Sequence, residues 1–213
     1  MKTKVILGIV AILIFAIGIT TMTSNMGFKL SQTLDVGITK YIALPYYNSY
    51  ATQTAQLLRN DIVAACGGGT PTISVYNWNG SAWQRYSGGG VGQINFALTA
   101  GLGYQVVSNT AATNWVIVGS HNPSTTIPLD VGVTKYIAIP YHTTSTTAQL
   151  LRNELVAAAG GGTPTISVYN WNGTAWQRYS GGGVGQVNFN LTPGLAYQAV
   201  TNTTISGWLP AHY

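Results

Sequence analysis

The segment at residues 70–93, TPTISVYNWNGSAWQRYSGGGVGQ, returns at residues 163–186 with one change, Ser81 against Thr174. Near-identity over so long a stretch constrains the fold more than any other feature. Whatever this segment builds is built twice, so the chain is two copies of one unit. The copies extend to both sides. LDVGITKYIALPY at 34–46 returns 95 residues later as LDVGVTKYIAIPY, and AQLLRNDIVAACGGGTPT at 55–72 returns 93 residues later as AQLLRNELVAAAGGGTPT. The two-residue difference falls in YNSYATQT against HTTSTT, which marks a surface loop, because length change is tolerated where backbone is exposed. FALTAGLGYQVV at 96–107 matches FNLTPGLAYQAV at 189–200, and Trp115 matches Trp208. SHNPSTTIP at 120–128 joins the copies and is short with two prolines, so the units are expected to touch. The expected division is a leader at 1–26, one module at 27–123 and a second at 124–213.

Within one unit, TKYIALPY reads as a strand stopped by Pro45, since β-branched and aromatic residues favour strands and proline ends them. A helix is expected over about residues 52–66, with Leu58, Ile62 and Ala65 on one face, as Leu151, Leu155 and Ala158 are in the second copy. Thr146 and Gln149 form a candidate capping box, and the glycines from Gly67 and Gly160 end the helices. ISVYNW and SAWQRY flank Asn79-Gly80, a signal for a two-residue type I′ hairpin. That loop length would set Trp78 opposite Ser81 and Tyr76 opposite Trp83. INFALT and GYQVVS are expected as two more strands around a turn at Ala100-Gly101, Pro193-Gly194 in the second copy. NWVIVG closes the unit. SNMGFKLSQT at 24–33 fills the place before copy one that the linker fills before copy two, so each unit is expected to begin with an extended segment. The expected fold class is therefore mainly β, sandwich or barrel-like, with one short helix per module.

Charge is scarce. Only 6% of the 213 residues are charged, against about 25% in an ordinary soluble domain. Ten of the thirteen charges form matched pairs: Asp35, Lys40, Arg59, Asp61 and Arg85 with Asp130, Lys135, Arg152, Glu154 and Arg178. Asp61 and Glu154 sit beside arginines in the helices and read as part of a solvated face. No cationic cluster accompanies the net charge of +5, and phosphate backbones demand one, so nucleic acid is not an expected partner. The single cysteine, Cys66, has no internal disulfide partner and stands where the second copy has Ala159. It reads as a small buried hydrophobe.

Lys2 and Lys4 precede an apolar run from Val5 to Met22. As a helix this is about 27 Å long, at the lower limit for a membrane span and long for a cleaved signal. Residues 1–26 are thus expected as an N-terminal hydrophobic helix, either a signal peptide or a retained anchor that would attach residues 1–24 to a membrane. Both place the protein outside the cytoplasm, at the cell surface or in the extracellular space.

The order YIALP, short helix, VYNWNG with a following tryptophan, and GLGYQVV resembles a module common in bacterial secreted and surface proteins. Its members carry a W-x-L-[IV]-[SA]-[LF]-P strand, an aromatic hairpin and a PGxGYxV strand, often in tandem. The resemblance implies an exported, mainly β module without known catalysis and names no ligand. The chain departs from the pattern at Lys40-Tyr41, where Trp-Asn or Asn-Trp is usual, and at Gly103 and Ala196, where glutamate is common.

Catalysis is not expected. No HExxH, GxSxG or paired-carboxylate pattern occurs, and GGGVGQ at 88–93 lacks the lysine and hydroxyl of a phosphate loop and reads as a turn. His121, His142 and His212 lack carboxylate or thiolate neighbours in sequence, so neither a metal nor another cofactor is expected. Asn79, Asn172, Asn190 and Asn202 match the glycosylation sequon, and the first two are already explained as turn residues. The one candidate ligand site is the aromatic hairpin. Tyr76, Trp78, Trp83 and Tyr86, with Tyr169, Trp171, Trp176 and Tyr179, have faces suited to sugar rings, beside Asn77, Gln84 and Arg85 as donors to hydroxyls. The competing reading is structural: alternate aromatics fill the core and the others pack between modules. The sequence favours a non-enzymatic exported structural protein that self-associates into a fibre, lattice or coat, with cell-envelope polysaccharide as a further partner. The alternatives are a carbohydrate-binding or adhesive module, and a membrane-anchored periplasmic protein that does not assemble.

Overall fold

A computed structural model describes residues 27–48, 54–67, 69–120 and 124–212. The N-terminal apolar run, with its expected helix, lies outside these residues, and no described helix is long and apolar enough to cross a membrane.

The described chain is mainly β, as its alternating patterns require. Module one opens with β1 (Phe28–Leu34), β2 (Lys40–Ala43) and the two-residue β3 (Tyr47–Asn48), followed by helix α1 (Ala55–Ala65). The hairpin β4 (Ile73–Trp78) and β5 (Trp83–Tyr86) comes next, then β6 (Gly103–Ser108) and β7 (Ala112–Ser120). Module two repeats the plan as β8 (Ile127–Leu129), β9 (Lys135–Ala138), α2 (Ala148–Ala158), β10 (Ile166–Trp171), β11 (Trp176–Tyr179), β12 (Ala196–Thr201) and β13 (Ile205–Trp208). Each module has one four-stranded antiparallel sheet, ordered β2-β6-β4-β5 or β9-β12-β10-β11. A smaller sheet, β1-β7-β3 or β8-β13, closes the sandwich.

Two separate cores form. In module one, Leu34, Trp115 and Ile117 of the small sheet meet Ile42, Val75, Tyr104 and Val106 of the large one, with Leu58 and Ile62 of α1 between them. Module two repeats this with Leu129, Trp208, Ile137, Val168, Tyr197, Leu151 and Leu155. The helices begin later than expected, capped by Thr54 and Thr147, whose side chains accept from Leu57 N and Leu150 N. The capping box is not formed. Gln149 turns instead to Asn188, donating its backbone N–H and accepting from the Asn188 amide. Ala65 packs partly buried against its core, whereas its counterpart Ala158 is exposed.

Three further details differ from the sequence reading. Trp78 pairs with Trp83 and Tyr76 with Arg85, so the hairpin loop is four residues, 79–82, rather than two. A type I′ turn needs φ > 0 at both central residues, and here Gly80 is at 102° while Asn79 is not in that region. Asn79 Oδ1 instead accepts from Ser81 N and Ala82 N and closes the wider loop, as Asn172 does in module two. Asn79→Ala should therefore cost module one about 1 kcal/mol, read as a lower urea midpoint. An unchanged midpoint would remove this role. INFALT, in turn, is not a strand. It runs extended beside α1, where Phe96 O accepts from Ala55 N and Ala97 bridges the Thr54 cap.

The third correction concerns the helical carboxylates. Asp61 Oδ2 accepts from the buried Trp115 indole at 2.6 Å, and Glu154 Oε2 accepts from Trp208 at 3.2 Å and from Ala211 N at 3.0 Å. Ser145 Oγ adds a further donor to Glu154. These carboxylates join the helix to the small sheet. Cys66 is the C-cap of α1, partly buried against the core, and its module-two equivalent is Ala159. Cys66→Ala should shift stability by less than about 1 kcal/mol. A larger loss in a urea melt would give the thiol a structural role.

Candidate functional site

The two modules meet about a pseudo-two-fold axis. Ala43 N donates to Gly194 O at 2.9 Å, and its counterpart Ala138 N donates to Gly101 O at 2.8 Å. Ile42 bridges Leu195 while Ile137 bridges Leu102. Gly103 and Ala196, each the first residue of its strand, face each other across the axis, and a Cβ on Gly103 would fall on the Ala196 methyl group. Ala43, Tyr46, Ala138 and Ala196 form a third apolar cluster there. Small residues let the backbones approach, and the Tyr46 hydroxyl donates to Ala138 O at 3.0 Å. Beyond the axis, β1 lies along module two. Gln32 Nε2 donates to Gly194 O, and Phe28 stacks on Tyr141 with ring centres 4.5 Å apart.

On one side of this contact lies an aromatic cluster. Tyr41 and Tyr136, equivalent by the repeat, stack at 5.2 Å with rings 2° from parallel. Each hairpin reaches across to the other module: Trp83 lies 5.0 Å from Tyr136, and Trp176 lies 4.9 Å from Tyr41. Trp78 and Trp171 back them at 5.4 and 5.5 Å. Burial pushes the Tyr41 and Tyr136 hydroxyls above the usual tyrosine range. Burial also lowers Lys40, partly offset by the nearby Asp35 charge.

The eight expected aromatic site residues thus divide. Trp78, Trp83, Trp171 and Trp176 converge on the junction, with Trp83 and Trp176 still 37% and 36% exposed. Tyr86 and Tyr179 are buried in the two module cores. Tyr76 and Tyr169 lie on the sheet face under Arg85 and Arg178, whose guanidinium carbons stand 5.9 and 6.0 Å from the ring centres. The expected polar donors are engaged within the sheet: Asn77 donates to Gln84, and Arg85 donates to Ser74 Oγ. Tyr41 and Tyr136 were not among the expected site residues. Their signal was present, since a tyrosine recurs at this position in both copies.

Beside the stack lie two equivalent clefts of about 200 and 230 Å³. One has Asp35, Lys40 and Tyr41 on one wall and Asn170, Trp171 and Asn172 of the opposite hairpin on the other. The second has Asp130, Lys135 and Tyr136 facing Asn77, Trp78 and Asn79. The glycine loops are closed turns, with Gln93 Oε1 accepting from Ser87 N and Gly89 N, and Gln186 repeating this in module two. Among the described residues, no three His, Cys, Asp or Glu side chains gather as a metal site. Compared with protein-family models, with curated proteins and with solved structures, the chain matches none.

Proposed function

We propose that this chain is an exported, non-enzymatic structural protein in which two β modules lock into one rigid block that associates with further copies. The junction carries the reading. Direct backbone bonds, close-packed alanines and a shared aromatic stack make the modules one body. A block with internal two-fold symmetry presents each outward surface twice, and growth into a fibre, lattice or coat needs such repeated contacts.

The surface chemistry supports it. Most of the few charges are engaged internally: Lys40 and Lys135 donate to the backbone, and Asp61 and Glu154 hold indoles. Val91 and Val184 project fully exposed from equivalent loop tips, and Val116, Val118 and Leu209 are also exposed. Few free charges remain to keep copies apart. The apolar leader at 1–26 and the resemblance to bacterial surface modules support export, with residues 1–24 either removed or kept as a membrane tether. Cell-envelope polysaccharide is a partner of the same setting.

Immuno-electron microscopy of intact cells, with sedimentation velocity of residues 27–213, tests the proposal. The expected result is label at the cell surface and concentration-dependent oligomers that V91D and V184D together abolish. Label confined to the cytoplasm, or a monomer at every concentration, would overturn it.

A further inference from the structure

We infer that the two junction clefts are equivalent binding sites, each for one ring of a neutral saccharide. The first argument is composition. Each cleft sets the aromatic side chains Tyr41 and Trp171, or Tyr136 and Trp78, beside unused polar groups. A sugar ring has an apolar face and a rim of hydroxyls, and needs both kinds of surface at once.

The second argument is the set of unengaged groups. The Asp35 and Asp130 carboxylates are exposed and accept no hydrogen bond from the described residues. The two oxygens of a carboxylate suit a pair of neighbouring hydroxyls. Lys40 and Lys135 each use one ammonium hydrogen on a backbone carbonyl, Thr33 O and Pro128 O, and keep two. Asn77 and Asn170 spend an amide hydrogen on Gln84 and Gln177, which leaves their carbonyl oxygens available. Asn79 and Asn172 spend their oxygens on the loop, which leaves their amide hydrogens. Donors and acceptors are thus both present, and one carboxylate balances one ammonium in each cleft. A neutral polyhydroxyl ligand fits this charge balance better than an anion or a cation.

The third argument is size. About 200 Å³ lies below the ~300–1,000 Å³ of pockets for drug-sized ligands, so each cleft takes a single ring. Two such sites on one rigid body can hold two units of one repeating chain, with avidity beyond either site alone. The inference does not depend on self-assembly: a chain that stays monomeric would still bind.

The test is titration of residues 27–213 with neutral hexose and pentose oligosaccharides at millimolar concentration. Calorimetry reads stoichiometry, and ¹H–¹⁵N spectra read the indole signals. At least one sugar should shift the Trp78 and Trp171 indole signals while the core indoles of Trp115 and Trp208 stay fixed, with two equivalents bound. D35A and D130A should each remove one equivalent, weakening that site at least tenfold, and the double variant should bind none while melting like the parent. A polysaccharide bearing the same sugar should lose more affinity in a single variant than the free oligosaccharide does, which separates a polymer ligand from a soluble one. Fixed Trp78 and Trp171 signals with every neutral sugar, binding only to charged oligomers, or full binding by the double variant would overturn the inference.

Discussion

Trp115→Ala is expected to destabilise module one by about 3–5 kcal/mol, the cost of removing a large aromatic ring from a packed core. Trp115 is 1% exposed and touches both sheets and the helix through its cluster. The same substitution removes the donor that holds Asp61 at 2.6 Å, so α1 loses its polar tie to the small sheet as well. Trp115→Phe separates the two effects. It keeps most of the buried ring and loses the bond, and it should cost about 1.5–3 kcal/mol, the range for a hydrogen bond to a charged group. Equilibrium urea unfolding, followed by near-ultraviolet dichroism, checks both. A midpoint shift for the alanine variant no larger than that of the phenylalanine variant would mean that the ring contributes little beyond its N–H. Trp208→Ala should repeat the result in module two, where Glu154 is the acceptor.

That tie shows where the sequence could be read and where it could not. The duplication, the mainly β character and the helix follow from local pattern, because periodicity and turn residues act over a few positions. The solvated reading of Asp61 and Glu154 failed because a helix face says nothing about what packs on it from elsewhere in the chain. A usable signal existed: Asp61 and Trp115 are separated by 54 residues, and so are Glu154 and Trp208. A carboxylate and an indole kept at one spacing in both copies point to a contact. The hairpin register failed for a different reason. Asn-Gly signals a two-residue turn, yet the Asn79 side chain can close a wider loop by itself, and then Trp78 and Trp83 become partners. That register brings both tryptophans to the junction side, so the loop chemistry decides what the candidate site contains.

That the modules touch, with hairpin aromatics between them, follows from the short joint and the repeated tryptophans, but the backbone contact at the axis lay beyond local reading. Its determinants are small residues at Gly103 and Ala196, and their importance appears only when one copy is set against the other. A long or charged side chain at either position would stand where two backbones approach each other. In such a pair, one copy lacks the methyl group that the other presents.

A reciprocal exchange at this contact should therefore behave unlike either of its halves. Gly103→Ala alone puts a methyl group onto the Ala196 methyl and 3.4 Å from Tyr136 Cβ. No strained backbone is involved, since Gly103 is not among the glycines with positive φ. The expected cost is about 1–3 kcal/mol, typical of one methyl too many in a close-packed site. Ala196→Gly alone should cost less, because it removes a small buried group and leaves a small gap. The double variant G103A/A196G restores one methyl group and one hydrogen at the axis and should recover most of the loss, with a coupling of at least about 1 kcal/mol. Thermal melts of the four proteins measure it. The near-ultraviolet signal of the Tyr41–Tyr136 stack and its flanking tryptophans should weaken in Gly103→Ala and return in the double variant. Additive behaviour would mean that these two residues do not meet, and the pseudo-two-fold packing built on them would have to be abandoned. Recovery would show that the modules are positioned by contact across the axis, since the nine-residue joint is unchanged in all four proteins.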